Sequence, residues 1–343
     1  MRPKAEERPV RQSQEFDMEQ LIEMHLGFAP ARTLMAALDL NVFSKIHEGR
    51  KTAAQTARAC DASERGMRML LDALTSLGIL QKAQGGQYSL PAFVAQFLVR
   101  ESPDYLGDFL NIDTIWQAWG GLTESVRTGK PFRTVEHQQE AEEFFPKLVR
   151  GLHVINRQPA QNLERRIAGT LPPHPHVLDV AAGSGVWGIA FAEADPQTRV
   201  TAQDFPGVIP VTRSYVERHR VARQYDYLPG DLRAVDFGQG RFDVAILGNI
   251  VHSEGVESSR DLFRRIHRAL RGDGQMVIVD MVPNDERTGP VFPLIFALNM
   301  LVNTEQGGTY TFDEYREWLT DAGFRSVEAR DIEFHSPVII GRK

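Results

Sequence analysis

Apolar runs of strand length alternate with amphipathic, helix-like segments over the second half of the chain. The predicted strands are His176–Val180, Arg199–Asp204, Tyr225–Pro229, Phe242–Ile250, Gln275–Val282, Ser326–Ile332 and Pro337–Gly341. The predicted helices are Gly185–Ala194, Val208–Val221, Ser258–Leu270 and Phe312–Ala322. Strands that alternate with helices indicate βαβ units, so we predict an α/β fold with a mostly parallel sheet. The last two strands are close enough in sequence to pair antiparallel.

The first half of the chain is predicted to be mainly helical. In Ser63–Leu77 the apolar side chains share one face at helical spacing, Ser63 is a suitable N-cap, and Gly78 is a stop signal. Ile79–Lys82 and Gln87–Leu90 flank a Gly-Gly turn and are typical of a small β-hairpin. A helix followed by such a hairpin predicts a winged-helix module.

These patterns divide the chain into four parts. We expect a flexible N-terminus over 1–16, a winged-helix domain over 17–100, linking helices over 101–170 and the α/β domain over 171–343. A length of 343 residues also favours two domains.

Composition and charge exclude several classes of protein. With 42% hydrophobic residues the chain can build a sizeable core, and its single cysteine, Cys60, excludes an intramolecular disulfide. Met1–Gln20 lacks the apolar core of a secretory signal. The longest apolar run, Val291–Val302, contains a proline and an asparagine and is shorter than the ~20 residues that span a bilayer. We therefore expect a cytoplasmic protein with no membrane partner.

The winged-helix module raises the question of DNA binding. Its presumed reading helix offers Arg65 and Arg68 on the outward face, but Glu64 and Asp72 oppose them, and the net charge of the chain is −6. A DNA-reading helix needs a net positive face for phosphate contacts. We therefore predict no nucleic-acid partner and a module that packs against a second subunit. A small-molecule-sensing transcription regulator is the alternative.

A glycine-rich turn follows the first predicted strand of the α/β domain. Gly183-Ser184-Gly185-Val186-Trp187-Gly188 fits G-x-G-x-x-G, which is a weak motif by itself and is compatible with a dinucleotide. Asp179, inside the strand, would lie unfavourably beside a pyrophosphate, and no Lys or Arg occurs in Asp179–Phe191. A carboxylate there suits a ligand with a positive amino group and a sulfonium. The turn therefore favours S-adenosylmethionine.

Two further acids come at the ends of the next two strands. Asp204 could accept hydrogen bonds from both ribose hydroxyls, and Asp231 could accept one from the adenine amino group. Three acids at the carboxyl ends of successive parallel strands face the crevice where ligands of such sheets bind.

On these motifs the chain resembles the plant and bacterial small-molecule O-methyltransferases, including caffeate, hydroxyindole and polyketide O-methyltransferases. The resemblance runs from about Asp17 to the end. The family's Asp-Val and Gly-rich turn match Asp179–Gly185, with Ala181 and Ala182 in place of two glycines; its Asp-Leu-Pro matches Asp204–Pro206, and its Gly-Asp-Met matches Gly230–Leu232. The resemblance implies a Rossmann-like class I methyltransferase sheet, S-adenosylmethionine as cofactor, and a homodimer formed through the N-terminal domain. The sequence has no His/Cys cluster with metal-ligand spacing, so we predict a reaction without a metal. The implied cofactor-binding residues are Asp179, Gly183, Gly185, Asp204, Phe205, Asp231, Leu232, Gly248 and Asn249.

The resemblance also implies a catalytic histidine. In the family it lies nine residues after an Asp that opens the fourth strand, and Asp243 and His252 keep that spacing. A neutral imidazole can take the proton of a phenol or enol as its oxygen attacks the methyl group. Asp280 matches the first of the two acids that orient the imidazole in the family.

Four departures from the family pattern weaken this assignment. Ser253 follows the histidine where the family has an acid, and Thr309 stands in place of the second orienting Glu. Gly248 and Asn249 replace a lysine and a tryptophan. Three interpretations stay open: O-methylation of an acidic hydroxyl that needs little base assistance, C-methylation of a large ring system, or cofactor binding without methyl transfer.

The acceptor is predicted to be a small, flat, apolar molecule such as a phenol or polyketide, because aromatic and Met side chains dominate the segments that would close the pocket. These segments are the middle helices and Phe292–Val302. The candidate acceptor-binding residues are Trp116, His153, Asn156, Phe296 and Met300.

Overall fold

A computed structural model of the chain describes residues 16–132 and 138–343, with the backbone alone over 138–147. The expected flexible N-terminus, residues 1–16, falls outside the described residues except for residue 16. The chain divides into two compact units, Met1–Asn111 and Ile112–Lys343.

The first unit is mainly helical. Its elements are α1 (Met18–His25), α2 (Phe28–Asp39), α3 (Val42–His47), α4 (Ala53–Ala59), α5 (Glu64–Ser76), β1 (Gln81–Lys82), β2 (Tyr88–Ser89), α6 (Ala92–Leu98) and α7 (Gly107–Leu110). The hydroxyl of Ser63 caps α5 by accepting from the Gly66 N–H at 3.1 Å. Met67, Leu71 and Leu74 project from α5 into the core of this unit. The predicted helix and the predicted hairpin are both confirmed, and β1 and β2 pair antiparallel.

The second unit is an α/β domain. Its strands are β3 (His176–Val180), β4 (Arg199–Asp204), β5 (Tyr225–Pro229), β6 (Phe242–Gly248), β7 (Leu270–Val279), β8 (Ser326–Arg330) and β9 (Val338–Arg342). Its α-helices are α8 (Asp113–Gly120), α9 (Leu122–Thr128), α10 (Gln138–Ile167), α11 (Val186–Ala194), α12 (Ile209–Arg218), α13 (Val256–Ala269), α14 (Val291–Asn303) and α15 (Phe312–Asp321). Short 3-10 turns lie at Ala168–Thr170, Ala222–Gln224 and Val251–Ser253. Among the described helices, none is long and apolar enough to cross a membrane.

Within the described residues, seven strands form one sheet in the order β5-β4-β3-β6-β7-β9-β8. Strands β3 to β7 run parallel to one another, whereas β9 runs antiparallel to both β7 and β8. The mostly parallel sheet and the antiparallel last strand are thus confirmed. The strand order reverses between β3 and β6, and such a switch point opens a crevice at the carboxyl ends of the strands.

Both faces of the sheet are covered, which explains why the central strands are apolar almost throughout. Val177 of β3 packs with Leu163 of α10 and Ile189 of α11 on one face. Leu178 packs with Phe263 of α13 and other side chains on the opposite face. The rigid core holds the strand ends in place.

Several predicted boundaries are wrong by a few residues. Strand β6 ends at Gly248 rather than Ile250, because Asn249 adopts the left-handed conformation with φ of 57°. Strand β7 ends at Val279 rather than Val282, where the Asp280 carboxylate takes over the N–H of Met281. The helix α13 begins at Val256, two residues before the prediction. The first two differences lie at the crevice.

Candidate active site

The glycine-rich turn joins β3 to α11 at the crevice. Gly183 and Gly185 have φ of 56° and 75°, conformations that glycine adopts without a steric cost. Ala181 has φ of 50° although it carries a Cβ. Side chains from α12 and β5 hold the turn from below: the Thr212 hydroxyl donates to the Gly183 carbonyl at 2.7 Å, and the Tyr225 hydroxyl donates to the Gly185 carbonyl at 3.3 Å.

Asp179 is fully buried directly beneath this turn. One carboxylate oxygen accepts from the Gly188 N–H at 3.0 Å, and the other has no hydrogen-bond partner among the described residues. Burial raises the pKa of Asp179 to about 7, and the charge of Asp204 adds to that effect. A buried acid with an unpartnered oxygen is unfavourable unless a ligand supplies a donor or a positive charge.

Asp204 ends β4 beside the same turn. Its carboxylate accepts from the N–H groups of Gly183 and Phe205, each at 2.7 Å, and burial raises its pKa. Each oxygen keeps a second lone pair that a hydroxyl donor can use.

Asp231, after β5, is exposed and accepts from the Arg233 N–H at 2.8 Å, while Leu232 beside it is buried. Sequence reasoning missed Gln203. Its amide accepts from the Ala181 N–H at 3.2 Å and donates to the Gly230 carbonyl at 2.7 Å, which ties the three strand ends together. A polar residue inside an otherwise apolar strand was the available signal.

This edge of the sheet fits S-adenosylmethionine. The buried, unpartnered oxygen of Asp179 calls for a donor or a positive charge from a ligand, and this cofactor carries an ammonium and a sulfonium group. The side-chain carbonyl oxygen of Asn249, at the end of β6, is likewise buried without a partner among the described residues. No group of three or more His, Cys, Asp and Glu that could hold a metal ion occurs in the described part of the chain.

The candidate base lies across the switch point from the turn. His252 is 8% exposed, and its Nδ1 lies 2.6 Å from the Asp280 carboxylate. The same carboxylate accepts from the backbone N–H of His252 at 2.9 Å and from that of Met281 at 2.8 Å. An ionised carboxylate can only accept, so Nδ1 carries the proton and Nε2 presents a lone pair.

Two further residues, Glu254 and Thr309, stand near positions where the family has acids around the histidine, and neither supplies a carboxylate to the imidazole. Glu254 is buried but turns to Arg233, 2.9 Å away, and accepts from Ser258. The Gly308 N–H donates to the His252 carbonyl at 2.8 Å, so Thr309 follows a residue that contacts the backbone of the histidine. The hydroxyl of Thr309 is buried without a partner among the described residues. Among the described residues, Asp280 is therefore the one carboxylate that contacts the imidazole.

The predicted acceptor-binding residues divide into two sets. Phe296 of α14 packs edge-on to His252, with ring centroids 5.0 Å apart, and Met300 lies one turn further along. Trp116 lies on α8, which packs against α14, and Trp119 of α8 donates to Asn299 at 3.1 Å.

The other set lies on α10. His153 is buried, contacts the Ser184 hydroxyl at 3.0 Å and the His219 ring nitrogen at 3.3 Å, and stacks near Tyr215. Asn156 is buried on the same helix. The structure thus brings His153 to the glycine-rich turn.

The family assignment follows from comparison with known proteins. A model of the O-methyltransferase domain matches residues 119–325, and a model of the O-methyltransferase dimerisation domain matches residues 22–100. The chain belongs to the O-methyltransferase family. It is an S-adenosylmethionine-dependent enzyme with the class I methyltransferase fold expected from the sequence.

Relatives of this O-methyltransferase include two enzymes from Streptomyces. The tetracenomycin polyketide synthesis 8-O-methyltransferase of Streptomyces glaucescens is 28% identical, with 94% of this chain and 96% of that one covered. The 3-hydroxy-5-methyl-1-naphthoate 3-O-methyltransferase of Streptomyces sahachiroi is 29% identical, with 92% of each covered. The methyltransferase PigF of a Serratia species, solved with S-adenosylhomocysteine, has a TM-score of 0.84 at 26% identity, covering 95% of this chain and 100% of that one.

The departure at Gly248 has a steric reason in this O-methyltransferase. A Cβ at Gly248 would lie 2.1 Å from Nε1 of Trp187, whose indole is 3% exposed. The indole therefore fills the space that a side chain at this strand end would need. Trp187 was not predicted to shape the site.

We expect Gly248→Ala to force this indole out of position. Overpacking of this kind typically costs about 1–3 kcal/mol, and the shift would also disturb the start of α11, which follows the glycine-rich turn. The expected result is a lower melting temperature together with weaker S-adenosylhomocysteine binding by calorimetry. Gly207→Ala is the control, because a Cβ there meets no atom within 4 Å. An unchanged melting temperature of Gly248→Ala would contradict the steric argument.

Proposed function

We propose that this O-methyltransferase transfers a methyl group to a phenolic or enolic hydroxyl of a small aromatic or polyketide-like natural product, with His252 as the general base. The observation that carries the proposal is the His252–Asp280 pair. Its Nδ1–carboxylate distance of 2.6 Å orients the ring with Nε2 free to accept a proton. Asp280 acts through the histidine and is a positioning residue.

The roles of the chain's own residues follow from this arrangement. S-adenosylmethionine supplies the methyl group. Asp179 and Asp204 hold the cofactor at the carboxyl edge of the sheet, with Gly183 and Gly185 allowing its close approach. His252 removes the proton of the acceptor hydroxyl, and the negative Asp280 stabilises the imidazolium that forms.

The acceptor class is supported by the relatives and by the surroundings of His252. The two Streptomyces enzymes act, by their names, on a tetracenomycin polyketide and on a hydroxynaphthoate. Phe296 and Met300 supply apolar contacts of the kind that a flat aromatic acceptor needs. With Thr309 in place of a second carboxylate, an acidic hydroxyl is the favoured target, since it needs less help from the base.

The test is to incubate the purified enzyme with methyl-labelled S-adenosylmethionine and a panel of phenols, naphthols and enolic polyketides. We expect S-adenosylhomocysteine release with at least one acceptor, and carbon NMR of the product should show an O-methyl signal. A C-methyl signal would instead show that the enzyme methylates carbon, and would contradict O-methylation. Cofactor binding with no release on any acceptor would favour a non-methylating protein.

We also propose that the enzyme is a homodimer formed through its first unit, without a nucleic-acid partner. The dimerisation-domain match supports it, as does α1, which has no buried residue and exposes Met18, Leu21 and Ile22. Asp72 of α5 forms ion pairs with Arg68 and Lys82, which reduces the positive charge available for phosphate. Native mass spectrometry should give twice the monomer mass, and a mobility shift with DNA at low salt would contradict the second half of the proposal.

A further inference from the structure

An aromatic row links the candidate base to a second histidine. Phe292 and Phe296 lie one turn apart on α14, with ring centroids 5.9 Å apart. Phe296 meets His252 at one end of the row, and Phe292 meets His335 at the other, 5.5 Å between centroids and nearly perpendicular. Two imidazoles thus lie at opposite ends of one apolar row.

The segment that carries His335 is anchored on both sides. His335 lies between β8 and β9, in a stretch where Ile332 and Ser336 are buried. The Ile332 carbonyl accepts from the Asn162 side chain at 3.0 Å, and the Ser336 hydroxyl accepts from the Val282 N–H at 3.2 Å. Because its neighbours are fixed, the side chain of His335 is held beside the row although it is itself exposed.

His335 is polar but unused within the described chain. Neither of its ring nitrogens has a hydrogen-bond partner among the described residues. Desolvation lowers the pKa of His335 below its ordinary 6.5, while the charge of Asp280 opposes that effect. The neutral ring offers one N–H donor and one acceptor.

We propose that His335 donates a hydrogen bond to a carbonyl or carboxylate oxygen of a fused-ring acceptor whose hydroxyl lies at His252. The rings of Phe292 and Phe296 would contact the apolar body of that acceptor. Two aromatic side chains separate the imidazoles along the row, so a single-ring phenol at His252 does not reach His335. This inference rests on the proposed function and narrows its acceptor to a fused-ring phenol with a second polar group.

The test compares three ligands that share one ring system and one hydroxyl. They are 6-hydroxy-2-naphthoate, whose hydroxyl and carboxylate lie at opposite ends of the two rings, the corresponding 2-acetyl ketone, and 2-naphthol, which lacks the second polar group. Affinities are measured by calorimetry on the enzyme loaded with S-adenosylhomocysteine, so no methyl transfer is needed. We expect His335→Ala to weaken at least one of the two oxygen-bearing ligands about tenfold, the size of one lost hydrogen bond, and to leave 2-naphthol within about twofold.

Two further variants separate this role from a structural one. His335→Gln keeps an N–H donor and should restore part of the lost affinity. Glu333→Gln, on the same exposed segment, should change none of the three affinities. The proposal is overturned if no oxygen-bearing ligand binds more tightly than 2-naphthol, or if His335→Ala affects all three ligands equally or none.

Methyl transfer to the same ligands is measured separately. Selective binding that depends on His335, without S-adenosylhomocysteine release, would contradict the proposed function and leave the role of His335 intact. Methyl transfer that is unchanged in His335→Ala would contradict this inference but not the proposed function.

Discussion

His252→Ala should lower turnover by about 100- to 10,000-fold, the range over which a positioned general base accelerates proton transfer. The imidazole of His252 lies just after β6. Its Nε2 is free to accept a proton, because the Asp280 carboxylate accepts the hydrogen bond from Nδ1. Affinity for S-adenosylhomocysteine should stay almost unchanged, because the acids proposed to hold the cofactor lie on β3, β4 and after β5. Turnover is measured as release of S-adenosylhomocysteine, and affinity by calorimetry.

Two controls sharpen this expectation. His174→Ala removes an exposed histidine that pairs with Asp195, away from the site, and should leave turnover at the wild-type level. Asp280→Asn keeps the shape of the pair but replaces the carboxylate, so it should lower turnover and shift the pH profile of kcat without abolishing cofactor binding. If His252→Ala turned over like the wild type, the histidine would not be the base.

That the candidate cofactor-binding residues lie close together could be predicted from the sequence because each part of the group is local. Asp179, Asp204 and the glycine turn each end a strand whose apolar run is visible, and parallel strands bring their carboxyl ends to one edge. The same logic extends to His252 and Asp280, which are 28 residues apart but end the neighbouring strands β6 and β7.

The acceptor half could not be predicted in the same way. His335 lies in a segment with no apolar periodicity, anchored to α10 by a hydrogen bond between residues 170 positions apart. His153 was expected near the acceptor, and the sequence did not predict its contacts with Ser184, Tyr215 and His219. Which face of a long helix meets which loop depends on tertiary packing, and no single window of sequence contains that information.

Trp187 explains a departure from the family pattern that the sequence alone leaves unexplained. From the sequence, Gly248 is only a position where the family has a lysine. In the structure the indole occupies the space that a side chain at Gly248 would need, 2.1 Å from where a Cβ would be. Gly248 at the end of β6 and Trp187 on α11 therefore pack as a pair. The structure shows this packing, whereas the sequence does not.

Asp179→Asn should weaken cofactor binding about 10- to 100-fold, the effect of losing a hydrogen bond to a charged group. It should also remove a pH dependence. Burial raises the pKa of Asp179 to about 7, so below pH 7 the cation must displace a proton before it binds. We expect the wild-type Kd to rise by up to about tenfold per pH unit below that value, and the Kd of the variant to lack this dependence.

The same substitution should stabilise the cofactor-free protein at high pH. The pKa of Asp179 is about 7 when folded, against 3.8 for an ordinary aspartate. The neutral form is favoured by folding, so its contribution to stability is complete below pH 3.8 and is lost as pH rises through about 7. Asparagine cannot ionise, so the melting temperature of the variant, relative to the wild type, should increase between pH 5 and pH 8.

Thermal unfolding and calorimetry over this pH range measure both effects on the same protein. Asp226→Asn is the control, because Asp226 is exposed on β5 and pairs with Arg199 at 3.5 Å. It should alter neither the pH dependence of Kd nor that of stability. Asp179→Asn should thus weaken cofactor binding but raise the stability of the cofactor-free protein. The reason is that the buried carboxylate destabilises the protein without cofactor and stabilises the bound cationic cofactor. A variant that lost affinity without gaining stability at pH 8 would show that Asp179 is already neutralised within the protein.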